Sequence, residues 1–76
     1  EYEVIEAEII ETSELINKEL KNSDLPEELR IGAILRKLEV IIPRSDFVFK
    51  KDDRVVFLAK KDSISVVENI FRISSI

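Results

Sequence analysis

The stretch Arg30 to Arg44 constrains the fold more than any other part of this chain: Arg-Ile-Gly-Ala-Ile-Leu-Arg-Lys-Leu-Glu-Val-Ile-Ile-Pro-Arg. Two short apolar runs stand back to back, broken by Arg36-Lys37 and stopped at Pro43. Such a pair reads as an antiparallel hairpin, about Leu29 to Arg36 and Glu39 to Pro43. Side chains alternate between faces along a strand. Strict alternation therefore sends Ile31, Ala33 and Leu35 one way and Ile34 the other with Gly32, while Val40 and Ile42 oppose Ile41. Both faces are apolar and both want cover. One cover is the domain's own core. A second copy of the molecule is expected to supply the other, with Ile31, Ile34, Val40, Ile41 and Ile42 at the interface. A glycine inside a strand marks a bulge or a close approach of backbone or ligand, so Gly32 is singled out. The turn at Lys37-Leu38 lacks the Asn-Gly or Asp-Gly chemistry of a type I′ turn, so strain or another turn type is expected.

A chain of 76 residues makes one domain. A domain this small buries only about 60% of the surface its unfolded chain exposes. It has no cysteine for a disulfide and no histidine to favour zinc, so oligomerisation is the expected source of extra stability. Twelve Ile and seven Val give the apolar content a β-branched bias that favours strands. The net charge of -4 argues against nucleic acid as a partner. The apolar runs are too short to cross a membrane, so no membrane insertion is expected. The absence of cysteine fits the cytoplasm. The chain opens at Glu1 without Met, which points to a domain cut from a longer protein.

The remaining segments sort around the hairpin. Glu1 to Ile10 alternates, with Ile5, Ala7 and Ile9 on one face and Tyr2, Val4, Glu6 and Glu8 on the other. That is a half-buried strand. Ser13 is a good N-cap for a short helix from Glu14 to Leu20. Leu25-Pro26-Glu27-Glu28 is a loop, and Phe47 to Phe49 a short extended piece. Arg54 to Lys60 is apolar on both faces and therefore a central strand. A last helix runs from Asp62 or Ser63 to about Phe71 with Ile64, Val67, Ile70 and Phe71 inward, and Arg72 to Ile76 is a tail. The fold class is α+β: a small, mostly antiparallel sheet with a short helix after the first strand and a C-terminal helix packed on it.

Catalytic chemistry is hard to build here. There is no His or Cys for a triad or a thiolate. Ser13 reads as a helix cap, and Glu6 and Glu8 as a solvated strand face. The chain is not expected to be an enzyme, and no cofactor is expected. Asp46, Asp52 and Asp53 read as turn formers rather than ligands of a hard cation, because Lys50, Lys51 and Arg54 lie among them. Arg30, Arg36 and Arg44 punctuate the hairpin, where a guanidinium can grip a phosphate or carboxylate. The plainer reading is ion pairs with surface glutamates.

Taken in order, these pieces resemble a known module. They are the alternating acidic strand, Ser13-x-Leu15-Ile16-x-Lys18-x-Leu20, Asp24-Leu25-Pro26, Ile31-Gly32-Ala33-Ile34-x-Arg36, Val40-Ile41-Ile42-Pro43-x-x-Asp46 and Asp53-x-Val55. Together, over residues 3 to 71, they look like the C-terminal domain of regulators of potassium conductance, the TrkA-C or RCK_C domain. Leu38 and Asp52 stand where many members have Gly. The resemblance implies a ligand-sensing homodimer without catalysis, serving a potassium or other cation uptake system, channel or antiporter. It implies a nucleotide-binding Rossmann domain or a membrane transport subunit as partner, a place in the cytoplasm at the inner face of the membrane, and a small nucleotide as possible ligand. The expected ligand-facing set is Arg30, Ile31, Gly32, Ala33 and Pro43. The alternative is a structural dimerisation module of a transporter or transcription regulator with no small-molecule ligand.

Overall fold

The computed structural model describes residues 2–27 and 29–73. Five strands form one antiparallel sheet: β1 (Tyr2–Glu8), β2 (Leu29–Arg36), β3 (Glu39–Ile41), β4 (Arg54–Lys60) and β5 (Arg72–Ile73), in the order β3-β2-β4-β1-β5. One helix, α1 (Ile64–Ile70), follows a 3-10 turn at Lys61–Ser63. β4 is central, as its two apolar faces require. Val55, Phe57 and Ala59 are buried on one side, while Val56 and Leu58 lie on the other.

The expected first strand keeps its faces. Ile5, Ala7 and Ile9 enter the core, and Tyr2 and Val4 stay exposed. The core face is covered by α1 through Val67 and Phe71, and by the connecting segments through Leu15 and Phe49. Phe71 lies against Phe57 with ring centroids 5.3 Å apart. The opposite face, which carries Tyr2, Val4, Ala33, Leu35, Val40, Val56 and Leu58, has no covering layer among the described residues.

The faces of the hairpin's first strand differ from strict alternation. Ile31 pairs with Phe57, but Ala33 pairs with Val56, so Gly32 is the extra residue of a β-bulge. The bulge turns Leu29, Ile31 and Ile34 all toward the core, opposite Ala59, Phe57 and Val55, and leaves Arg30, Ala33 and Leu35 outside. Ile34, expected at the interface, is instead completely buried within the protomer. Ile41, its partner across the hairpin, also packs against the core. Gly32 does not need a positive φ, and a Cβ placed there would meet the Val56 carbonyl oxygen at 3.6 Å, an ordinary contact. Gly32→Ala is therefore expected to change stability by less than about 0.5 kcal/mol. A calorimetric melting temperature lowered by more than about 8 °C would show that the bulge depends on bare backbone.

The helix expected over Glu14 to Leu20 does not form. Ser13 does bond forward, its Oγ accepting the Leu15 N–H at 3.1 Å, but only one turn follows. Asn17 at φ 69° ends it, a left-handed conformation that Asn tolerates better than most residues. The backbone then finds a better partner. Asn17 and Leu20 donate to the Phe49 and Phe47 carbonyls, and Phe49 donates back to Lys18. The segment closes with a 3-10 turn at Leu20–Asn22. The expected tail from Arg72 begins as β5, paired with β1; its remainder, residues 74–76, lies outside the described residues. At the hairpin turn only Lys37 is left-handed, at φ 55°, so the turn is not type I′.

Candidate functional site

Between the 3-10 turn and the start of β2 lies an open groove of about 430 Å3. Its apolar lining is Leu20, Leu25, Pro26, Leu29, Ile31 and Pro43, with Lys21 and Asp24 among the polar residues beside them. Each wall has a local cause. The Lys21 N–H donates to the Ser45 carbonyl, and Ser23 donates through its N–H and Oγ to the Leu20 carbonyl. Asp24 at φ 56° turns the chain, and the Leu29 N–H donates to the Pro26 carbonyl as β2 begins. An apolar lining with one cation, Lys21, and two carboxylates, Asp24 and Glu27, close by suits a flat ring system that carries polar or charged substituents.

The structure divides the expected ligand set. Ile31 and Pro43 line the groove. Gly32 is exposed at the bulge, while Arg30 and Ala33 sit on the outer face opposite Leu58 and Val56. The bulge makes this division, because it removes the alternation that put Ile31 and Ala33 together. Leu20, Leu25, Pro26 and Leu29 also line the groove and lie outside the expected set. For Leu25 and Pro26 the signal is the Asp24-Leu25-Pro26 tract, a loop and a family motif that carries no mark of a binding wall. A second groove, of about 560 Å3, lies between the end of β1 and the end of α1, and is lined by Glu8, Glu14, Asp24 and Glu68 with Lys18. It contains none of the expected residues. Among the described residues no cluster of three or more acidic side chains is arranged to hold a metal.

Arg36 has a structural task rather than a surface one. Its Nε donates to Asp53 Oδ1 at 2.8 Å, and its Nη2 to Asp53 Oδ2 at 2.7 Å and to the Val48 carbonyl at 2.9 Å. The guanidinium also lies 4.9 Å from the Phe47 ring centroid. Asp53 is only 1% exposed and accepts the Lys50 N–H as well. The hydrogen bond to Asp53 raises the Arg36 pKa above its ordinary value, against a smaller opposing effect of burial. Stability from this raised value is complete below the ordinary arginine range and lost only as pH climbs through the higher one, so the pair is no switch near neutrality. It ties the segment after β3 to the hairpin. On the outer face, Arg54 pairs with Glu6.

A small α+β domain of this shape is already known. A solved structure of an RCK domain with cda matches with a TM-score of 0.79, covering 91% of this chain and 97% of that one at 19% identity. The TrkA-C domain model matches residues 4–72, and the chain belongs to that family. It is 46% identical over 72 residues to a Trk system potassium uptake protein TrkA from Azorhizobium caulinodans, covering 95% of this chain and 16% of the relative. It is 41% identical over 64 residues to a TrkA homolog from Archaeoglobus fulgidus, covering 84% of this chain and 15% of the relative. The chain thus spans about a sixth of the length of these curated relatives. No helix among the described residues is long and apolar enough to cross a membrane.

Proposed function

We propose that this chain is a ligand-sensing, dimerising, non-catalytic regulatory domain of a potassium or other cation uptake system. It would work in the cytoplasm beside a Rossmann nucleotide-binding domain or a membrane transport subunit. The observation that carries the sensing part is the groove, where Ile31 and Pro43 meet Leu25 and Pro26 beside Lys21. The potassium system is supported by the family and by the names of its relatives. A ligand that prefers one arrangement of two paired domains shifts the population toward it, and the attached domains feel that shift.

Thermal melting with small nucleotides tests the reading. At a hundredfold excess over the dissociation constant, binding adds about 2.7 kcal/mol, a rise in melting temperature of about 10–20 °C for a domain this small. Lys21→Glu, on an exposed side chain, is expected to abolish the rise for a phosphate-bearing ligand and leave the ligand-free melt unchanged. The uncovered apolar face of the sheet favours a second reading, a structural dimerisation module. A nucleotide panel without any shift would support it.

A further inference from the structure

We propose that the groove beside β2 takes an uncharged nucleoside in preference to its phosphate-bearing counterpart, with the N–H donors of the base turned to Asp24 and Glu27. The proposal rests on the sensing reading above and names the class of ligand that the groove selects. What carries it is the uneven distribution of hydrogen-bond donors and acceptors along the walls.

Most donors in the lining are already engaged. The Leu20 N–H goes to the Phe47 carbonyl, the Lys21 N–H to the Ser45 carbonyl and the Leu29 N–H to the Pro26 carbonyl. Ser23 gives both its N–H and its hydroxyl proton to the Leu20 carbonyl. Pro26 and Pro43 have no N–H to give. Among the lining side chains, the Lys21 ammonium is the donor that remains. No guanidinium joins it. Arg36 is held by Asp53, Arg30 lies on the outer face opposite Leu58, and Arg44, next to Pro43, is not part of the lining.

Acceptors are in excess. Asp24 and Glu27 each offer a carboxylate with two acceptor oxygens. Both are exposed, so both can meet a ligand, and among the described residues neither forms an ion pair with Lys21. A phosphate monoester brings acceptors and about two negative charges at pH 7. Here it would face two carboxylates and one ammonium, without the run of free backbone N–H groups that cradles anions. A base edge brings the reverse. Its amino and ring N–H groups donate to a carboxylate in charge-assisted bonds, as the cytosine amino group does to Asp or Glu. The ring then lies on the apolar lining of Leu25, Ile31 and Pro43. The groove volume of about 430 Å3 falls toward the lower end of the range for small-molecule pockets, which suits one base with its sugar.

Titration calorimetry of the unmodified chain with adenosine and guanosine, each compared with its own 5′-monophosphate, tests this. At low salt at least one nucleoside is expected to bind about tenfold or more tightly than its monophosphate, because the carboxylates repel the phosphate. The gap should narrow as added salt screens that repulsion. Asp24→Asn/Glu27→Gln keeps the shape of both side chains, and Asn tolerates the left-handed conformation at φ 56°. It is expected to close the gap and to leave the ligand-free melting temperature unchanged. If the monophosphates bind as tightly as the nucleosides or more so, or if the double variant keeps the full gap, the selection is wrong and the sensing reading stands. If neither nucleosides nor monophosphates bind, both fail.

Discussion

Phe57→Ala is expected to destabilise the domain by about 3–5 kcal/mol, the usual cost of emptying a fully buried aromatic site. Phe57 is 1% exposed on the central strand, between Ile5 and Ile31 on its neighbours and against the ring of Phe71. With neighbours on both flanking strands and the Phe71 ring over it, the cavity has little freedom to collapse. A domain of this length has a total stability of about 4–11 kcal/mol, and the variant loses a large part of that. The melting temperature is expected to fall by about 12–40 °C. Leu58→Ala, the next residue but on the outer face and 42% exposed, should cost less than about 1 kcal/mol. Equal losses at the two positions, in urea melts at one fixed low protein concentration, would show that the faces of β4 are wrongly assigned.

Arg36→Met is expected to cost a similar amount, about 3–5 kcal/mol, because it leaves a buried carboxylate without its counter-charge. Asp53 would keep only the Lys50 N–H, with 1% of its surface open to water. Asp53→Asn should cost less, about 1.5–3 kcal/mol, since the amide oxygen can still accept from Arg36 and from Lys50. The informative variant carries both changes. Removing the stranded charge should make Arg36→Met/Asp53→Asn more stable than Arg36→Met alone. A double variant no better than the single one would mean that packing on Phe47, rather than charge, fixes the loop. If the pair also positions the Pro43 wall, ligand-induced melting shifts should shrink in Arg36→Met at temperatures where it remains folded.

Much of this architecture was open to reading from residue order. The alternation of Ile5, Ala7 and Ile9 determined the inward face of β1, because period-two patterning has only one solution on a half-covered sheet. The double-sided apolar run Val55 to Ala59 determined that β4 is central. The spacing of Val67 and Phe71 fixed the inward side of α1. The failures also have causes. Ser13 to Leu20 has helical composition, yet Asn17 and the carbonyls of Phe47 and Phe49 capture its backbone. Local propensity is a weak prior that long-range hydrogen bonding overrides. The groove was half legible. Ile31 and Pro43 were named, while Leu20 and Leu25 joined them only once the chain had folded back.

The sequence by itself determined the kind of domain: an α+β unit built on an antiparallel hairpin, too apolar on two sides for one small core, with the motif order of the TrkA-C family. Tertiary structure alone decided which side chains share a surface. One extra residue at Gly32 reverses the facing of everything on one side of it relative to the other, and so sends Ile34 inward and Ala33 outward. It also decided that Arg36 and Asp53, seventeen residues apart, become one buried pair. Periodicity is a local property that a chain carries in its order, whereas a bulge and a distant ion pair exist only when two strands choose a register.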